Sequence, residues 1–418
     1  MNKKKRIVIT GMGLTSCFGT DPEVFYQRLL KGESGVKEIT EFQVDDMPTR
    51  FAAWVDDFNP DELVDKKQQR RGDPYVTYIL HAGHRALERA GLVDDKLEAL
   101  DKSRCGVIVG SGMGGMRKYH EGVATLHERG IRRVSPFFVP YIITNMGGAL
   151  LAAEVGFYGP NYSISTACAT ANYSIVAAAN HILSGEADVM LAGGMEGAQN
   201  RMTLAGFVAC QALSQRNDDP QGASRPWDTT RDGFVLGDGG AVFVLESLEH
   251  CIARGAEDQI IGEYLGGGVS CDAYHMTQIR PDGSGIALCI EKALEGVPKE
   301  RVNYINAHAT STPMGDMAEV TGLKAVFGDN RSDIKMNATK SMTGHCLGGA
   351  GAVELAAVLM QLKHKKLHPT RNLKDPEEGI GFSVSNKAVD HPDIDVCLSN
   401  SFGFGGHNAA IAVAEYKK

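Results

Sequence analysis

The chain has 418 residues, of which 43% are hydrophobic, 22% charged and 7% aromatic. This composition excludes a disordered or collagen-like chain, and at ~150 residues per domain it predicts two or three units or one large α/β body. A formal net charge of −8 excludes a chain that is basic overall and built for nucleic acid.

Strand-like and helix-like patterns alternate from the start. The basic N-terminus, Met1-Asn-Lys-Lys-Lys-Arg6, lacks the apolar stretch of a signal peptide. A strand is predicted over 6–10, ending at Gly11-Met-Gly13, and a helix over 22–31. A helix over 75–90 and a strand over 106–109 follow, then a helix over 172–183 and strands over 188–192 and 241–245. The second part predicts helices over 285–294, 316–326 and 350–362 and strands over 302–305, 333–337, 395–399 and 408–413. Such alternation with β-branched strands argues for α/β layers. No run of about 18 apolar residues marks a membrane span.

The pattern also repeats at long range. Residues 163–183 read as strand, small-residue turn and apolar helix, and residues 337–362 read the same way. Each is followed by a similar strand, Asp188-Val-Met-Leu and Asp395-Val-Cys-Leu. That predicts a duplicated unit with its seam near 254–259, giving halves 1–256 and 257–418.

Nine cysteines occur, with no Cys-x-x-Cys pair and no Cys/His cluster at zinc spacing. Free thiols in a reducing, cytoplasmic setting are therefore expected, with no metal and no cofactor. One cysteine stands apart, in Ser163-Ile-Ser-Thr-Ala-Cys168-Ala-Thr-Ala-Asn. Small residues turn the chain, and Cys168 falls where an apolar helix begins. A helix start offers free N–H donors and positive potential, so a nucleophilic thiolate of lowered pKa is expected. Two histidines, His308 in Asn306-Ala-His308-Ala-Thr-Ser-Thr and His345 in Lys340-Ser-Met-Thr-Gly-His345, end strand-to-loop junctions. Ser401-Phe-Gly-Phe404-Gly-Gly is a third loop after a strand, able to offer backbone N–H groups to an oxyanion. The run Gly110-Ser-Gly112-Met-Gly-Gly115 matches a dinucleotide fingerprint, but the expected acidic residue about 20 positions on is missing. Lys66, Lys67, Arg70 and Arg71 form a basic cluster in an acidic chain, either a solvated helix face or a dock for an acidic partner.

Together these motifs resemble the β-ketoacyl-acyl carrier protein synthases, with the elongating synthase II as the nearest pattern. Ser224-Arg-Pro-Trp-Asp-Thr-Thr-Arg-Asp-Gly-Phe and Asp272-Ala-Tyr-His-Met-Thr277 extend the match. The resemblance runs from Arg6 to Val413 and implies a thiolase-like α/β fold, two similar halves in five layers, α-β-α-β-α, and a homodimer. It implies a decarboxylative Claisen condensation in fatty acid synthesis, with acyl and malonyl groups delivered on an acyl carrier protein. In that reading Cys168 accepts the acyl group, and His308 and His345 stabilise the malonyl-derived enolate. Lys340 with Glu354 organises the site, and Phe404 gates it while its N–H joins that of Cys168 at the oxyanion. Met113, Phe138 and Phe402 would meet the acyl chain, and Thr310 and Thr312 the pantetheine arm. Lys66, Lys67, Arg70, Arg71 and Arg201 would dock the carrier. Two departures stand out: Gln211 where many relatives have Arg, and His308-Ala-Thr for the commoner His-Gly-Thr. A thiolase, which needs a second Cys in a C-terminal turn, and a non-catalytic chain-length partner, which lacks the nucleophile, both fit the residues less well.

Overall fold

A computed structural model describes residues 5–56, 58–60 and 63–418; the basic start Met1–Lys4 lies outside them. Among the described residues, ten strands form one sheet. In chain order they are β1 (Ile7–Thr15), β2 (Cys105–Gly110), β3 (Val189–Glu196), β4 (Gly239–Ser247) and β5 (Gly262–Cys271). Then come β6 (Val302–Asn306), β7 (Arg331–Asn337), β8 (Phe382–Val384), β9 (Val396–Gly403) and β10 (His407–Ala414). Their order across the sheet is β8-β7-β6-β9-β10-β5-β1-β4-β3-β2. The two halves of the sheet meet where β1 pairs antiparallel with β5, over Ile7–Ile9 against Tyr264–Gly262.

Six helices build the layers: α1 (Pro74–Arg89), α2 (Met146–Val155), α3 (Thr170–Ser184), α4 (Ser284–Ala293), α5 (Gly315–Phe327) and α6 (Ala350–His364). The period-two alternation of the strands assigns each face. On β4, Val242 and Val244 pack with α1 and α2, while Phe243 and Leu245 pack with α3 and α6. On β10, Ile411 and Val413 join that same inner cluster, while Ala410 and Ala412 face α4 and α5. Thus α3 and α6 lie between the two half-sheets, and the five layers α-β-α-β-α follow. Helix α6 is buried at every position from Ala350 to Leu362, as an inner layer requires. Each fully buried leucine there, such as Leu355 or Leu359, contributes about 1.5–3 kcal/mol.

The middle helices are copies in geometry. Each follows a three-residue turn, Ala167–Ala169 before α3 and Leu347–Gly349 before α6. Each turn starts on a non-glycine residue with positive φ, 49° at Ala167 and 47° at Leu347. Each helix has 15 residues and ends on a left-handed cap, Gly185 and Lys365. The second copy is the first displaced by 180 residues, from Ala167 to Leu347 and from Gly185 to Lys365.

Some predicted bounds move. Strand β1 runs on through Gly11 and Gly13 instead of stopping there. A Cβ on Gly11 would stand 2.1 Å from the Ala86 carbonyl oxygen, so the glycines admit α1 onto the strand backbone. The strand predicted at the start of 163–183 forms no ladder; just before it, Asn161 bridges to Val107 of β2. Helices Met116–Arg129, Met146–Val155 and Arg201–Ala209 and the strand β5 were not predicted. Among the described residues no helix is long and apolar enough to cross a membrane.

Candidate active site

Cys168 sits in the short turn that feeds α3. The turn is held from below by Ser401 on β9, whose Oγ donates to the Cys168 carbonyl oxygen at 2.9 Å. Gly403, at the end of β9, lets the turn come close: a Cβ there would lie 2.7 Å from the Thr166 carbonyl oxygen and 3.0 Å from the Cys168 nitrogen. The N–H groups of Phe404 and of Cys168 itself reach the sulfur. The resemblance implies the same two N–H groups as donors to an oxyanion.

The thiol itself differs from expectation. Burial among packed side chains pushes it up to about 12, outweighing Lys340 and the two N–H groups. The charge of Glu196 adds to the rise. Cys168 is therefore a thiol at rest and not a standing thiolate. The helix start supplies donors, but the desolvation of a sulfur anion costs more than they return.

His345 makes up the difference. Its Nε2 lies 2.9 Å from Cys168 Sγ, close enough to share the proton. His308 faces His345 edge-on, ring centroids 5.4 Å apart. Burial and the nearby Lys340 hold both imidazoles well below their ordinary range, so both are neutral. Phe234 and Phe402 wall the pair, at 5.2 Å from His345 and 5.6 Å from His308. A neutral imidazole in an apolar wall can donate or accept one hydrogen bond without adding charge.

Behind the histidines lies Lys340, 2% exposed, with its Nζ 2.5 Å from Glu354 Oε1. Burial pushes the Glu354 carboxyl up to about 7, against the pull of Lys340. A second carboxylate, Glu319 on α5, accepts from the His308 and Ala309 N–H groups at 3.0 and 2.9 Å and from Asn400 at 3.0 Å. Asp316, one turn earlier, accepts from the Ser311 and Thr312 N–H groups at 3.0 and 3.2 Å. These two acids fix the backbone of the 308–312 loop. Sequence reasoning missed both; the available signal was two acids three apart on the buried face of α5.

A cavity of about 390 Å³ brings together Cys168, His308, His345, Thr310, Thr312, Phe402 and Phe404. Gln211 and Cys210 stand at its rim with Phe207 and Met314. Lys340 and Glu354 do not line it. Met113 packs on the same cluster as Cys168 and Phe207. Phe138 does not line the cavity and lies tilted against Tyr119, ring centroids 6.1 Å apart. Lys66, Lys67, Arg70 and Arg71 share one six-residue helix, and all four are exposed. Arg71 also lies over the Phe137 ring at 4.8 Å. Arg201 is already committed: it pairs with Asp46 at 2.6 Å and donates to the Gln43 carbonyl oxygen. Cys397, the nearest C-terminal cysteine, is wholly buried inside β9.

Two further features bear on ligands. In the glycine loop 110–115, the Gly112 and Met113 N–H groups that could cradle a phosphate instead donate to Glu196. Among the described residues no group of three or more His, Cys, Asp or Glu has metal-binding geometry.

Residues 4–250 match the family model of the beta-ketoacyl synthase N-terminal domain, and residues 261–374 that of its C-terminal domain. The chain is 56% identical over 417 residues to a chloroplastic 3-oxoacyl-[acyl-carrier-protein] synthase I of Arabidopsis thaliana, covering 99% of this chain and 87% of that one. It is 46% identical over 412 residues to 3-oxoacyl-[acyl-carrier-protein] synthase 2 of Vibrio cholerae, covering 98% of each. Among solved structures, a ketosynthase complexed with its type II polyketide acyl-carrier protein superposes with a TM-score of 0.89 at 28% identity, over 99% of this chain and 100% of that one. The chain belongs to the beta-ketoacyl synthase family.

Proposed function

We propose that this chain is an elongating 3-oxoacyl-[acyl-carrier-protein] synthase of the synthase II type, an acyltransferase of fatty acid synthesis. The observation that carries the reading is the Cys168–His345 contact of 2.9 Å, with His308 facing it, inside one cavity. In the first half-reaction the thiol proton passes toward His345 as Sγ attacks the carrier thioester. The new Sγ–acyl bond forms, the pantetheine C–S bond breaks, and the carrier thiol leaves with a proton. The Cys168 and Phe404 N–H groups face the developing oxyanion.

In the second half-reaction malonyl carrier enters through the rim, with Thr310 and Thr312 beside its pantetheine. The malonyl C–C bond breaks, carbon dioxide leaves, and His308 and His345 donate to the thioester oxygen of the enolate. Neutral donors suit that task, because charge develops on the oxygen only as the bond breaks. The enolate carbon attacks the acyl-Cys168 carbonyl, and the sulfur leaves as a thiolate that takes a proton from solvent by way of His345 and returns to the resting thiol. The product is a 3-oxoacyl carrier two carbons longer. Lys340, paired with Glu354, keeps the field of the site positive behind both imidazoles.

Several finer readings go with this. The halves are taken as 1–256 and 257–418. Met113, Phe402 and, more remotely, Phe138 meet the acyl chain, with Phe404 as its gate. The carrier docks on Lys66, Lys67, Arg70 and Arg71, with Arg201 secondary because Asp46 already neutralises it. A second copy of the chain covers the segment that follows β2 in the chain, where Ile131, Val139 and Tyr158 are 74%, 60% and 73% exposed. A cytoplasmic setting fits nine free thiols.

The test is intact-protein mass after incubation with acyl-carrier thioesters of graded length. One acyl adduct is expected on the protein, absent in Cys168→Ala. An adduct that persists in Cys168→Ala, or that forms from acyl-CoA and from no carrier thioester, would overturn the assignment.

A further inference from the structure

Glu196 is a wholly buried carboxylate that the condensation described above does not use. It closes β3, and two separate loops converge on it. Its Oε1 accepts from Ser111 Oγ at 2.6 Å and from the Met113 N–H at 3.3 Å. Its Oε2 accepts from the Gly112 N–H and the Gly348 N–H, each at 3.0 Å. Every partner is a donor, which is the pattern an ionised carboxylate satisfies and an amide or a protonated acid does not. Ser111 passes the grip on, since its Oγ also accepts from the Gly114 N–H at 2.9 Å.

The two loops touch as well as share the carboxylate. A Cβ on Gly348 would lie 2.4 Å from the Gly112 nitrogen and 2.8 Å from Glu196 Oε2. Gly348 belongs to the turn just after His345, and Met113 packs on the Cys168 cluster. One side chain therefore joins the acyl-facing loop to the turn behind the imidazole. Burial pushes its carboxyl up to about 7, against the pull of its four donors.

We propose that Glu196 is a positioning residue for chain length: by holding the backbone of 111–113 against Gly348, it fixes Met113 as the end-stop of the acyl pocket. This rests on the reading of Met113 as a pocket wall. A residue that merely supported the fold would slow acylation equally at every chain length. A residue that sets the end-stop changes the ratio between lengths.

The experiment measures kcat/KM for Cys168 acylation by one short and one long saturated acyl-carrier thioester, in full-length protein. Variants are Glu196→Gln, which turns an amide NH2 toward N–H donors, Ser111→Ala, which removes one of the four, and Met113→Ala as the pocket control. Met113→Ala and Glu196→Gln are expected to move the long-to-short ratio in the same direction, Glu196→Gln by about tenfold and Ser111→Ala by less. A ratio that moves in Met113→Ala but stays fixed in folded Glu196→Gln overturns the proposal and leaves the pocket reading standing. A ratio that stays fixed in Met113→Ala removes the pocket reading, and the proposal with it. Should Glu196→Gln fail to fold, Ser111→Ala decides, and an unchanged ratio there overturns the proposal.

Discussion

Replacing Lys340 by Met should cost far more than removing the whole ion pair. Lys340 and Glu354 are 2% and 1% exposed and meet at 2.5 Å. Glu354 Oε2 has no other hydrogen-bond partner among the described residues, so no second group takes up its charge. Breaking a buried pair from one side costs about 3–5 kcal/mol, whereas replacing both members by apolar residues of similar size is often neutral. At about 2.1 cal/mol/K of unfolding entropy per residue, 418 residues give roughly 0.9 kcal/mol per degree. The single variant should therefore lower Tm by about 3–6 °C, and Lys340→Met with Glu354→Leu should recover most of that loss. Activity should not recover with stability. The Lys340 charge acts on Cys168, His308 and His345 alike, and the double variant lacks it. Thermal unfolding and carrier-dependent condensation, measured on wild type, both singles and the double, close the cycle. A double as unstable as Lys340→Met would refute the buried-charge argument. A stable double with full turnover would refute the electrostatic role.

Three further outcomes follow from particular contacts. Iodoacetamide should inactivate through Cys168 at a rate that keeps rising from pH 7 to 9, because a thiol pushed up to about 12 gains thiolate throughout that range; a plateau below pH 8 would mean a standing thiolate. Gly403→Ala drives a methyl against the Thr166 carbonyl oxygen at 2.7 Å and should cut Cys168 acylation about 100-fold, while Gly206→Ala, at an exposed helix position with open space around it, should leave acylation unchanged and gain about 0.8–1 kcal/mol. Reversing the charges of Lys66, Lys67, Arg70 and Arg71 together should raise KM for carrier substrates with little change in kcat, and added salt should do the same to wild type; equal KM values would return the cluster to a solvated helix face.

What the sequence made legible tracks the range of the interactions. The predicted helices over 75–90, 172–183 and 350–362 lie inside α1, α3 and α6 to within a residue because their apolar spacing and turn residues are local signals. Strand β5 was invisible because Gly266, Gly267 and Gly268 break its apolar pattern. A Cβ on Gly268 would stand 2.0 Å from the Cys289 carbonyl oxygen, so it is α4 packing on β5 that selects glycine. The helix Met116–Arg129 has no buried residue, and its pattern carries no core face to read. In the site, Cys168, His308 and His345 stand out through their loop context. Glu196, Asp316 and Glu319 do not: Glu196 meets a turn 152 residues away, and the other two cap backbone N–H groups of an irregular loop only 4–11 residues before them, a pairing that no periodic pattern signals.

The misjudged thiol has the same origin. A turn of small residues before an apolar helix is visible in the sequence; how deeply the other half covers it is not. The covering comes from the duplication. Strands β3 and β9 occupy matching places after the two middle helices, and each is eight residues long. Their last residues are Glu196 and Gly403. Beside Gly403 the missing side chain leaves room for the Cys168 turn to descend onto β9. Beside Glu196 the matching turn carries Gly348 in place of a cysteine, and the carboxylate fills the space a side chain there would need. Two exchanges between equivalent positions thus turn one repeated turn into a nucleophile and the other into an anchor for the loop beside it. The same closeness that gives Cys168 its N–H donors also crowds its sulfur and raises the thiol, and His345 Nε2 at 2.9 Å is placed to take the proton.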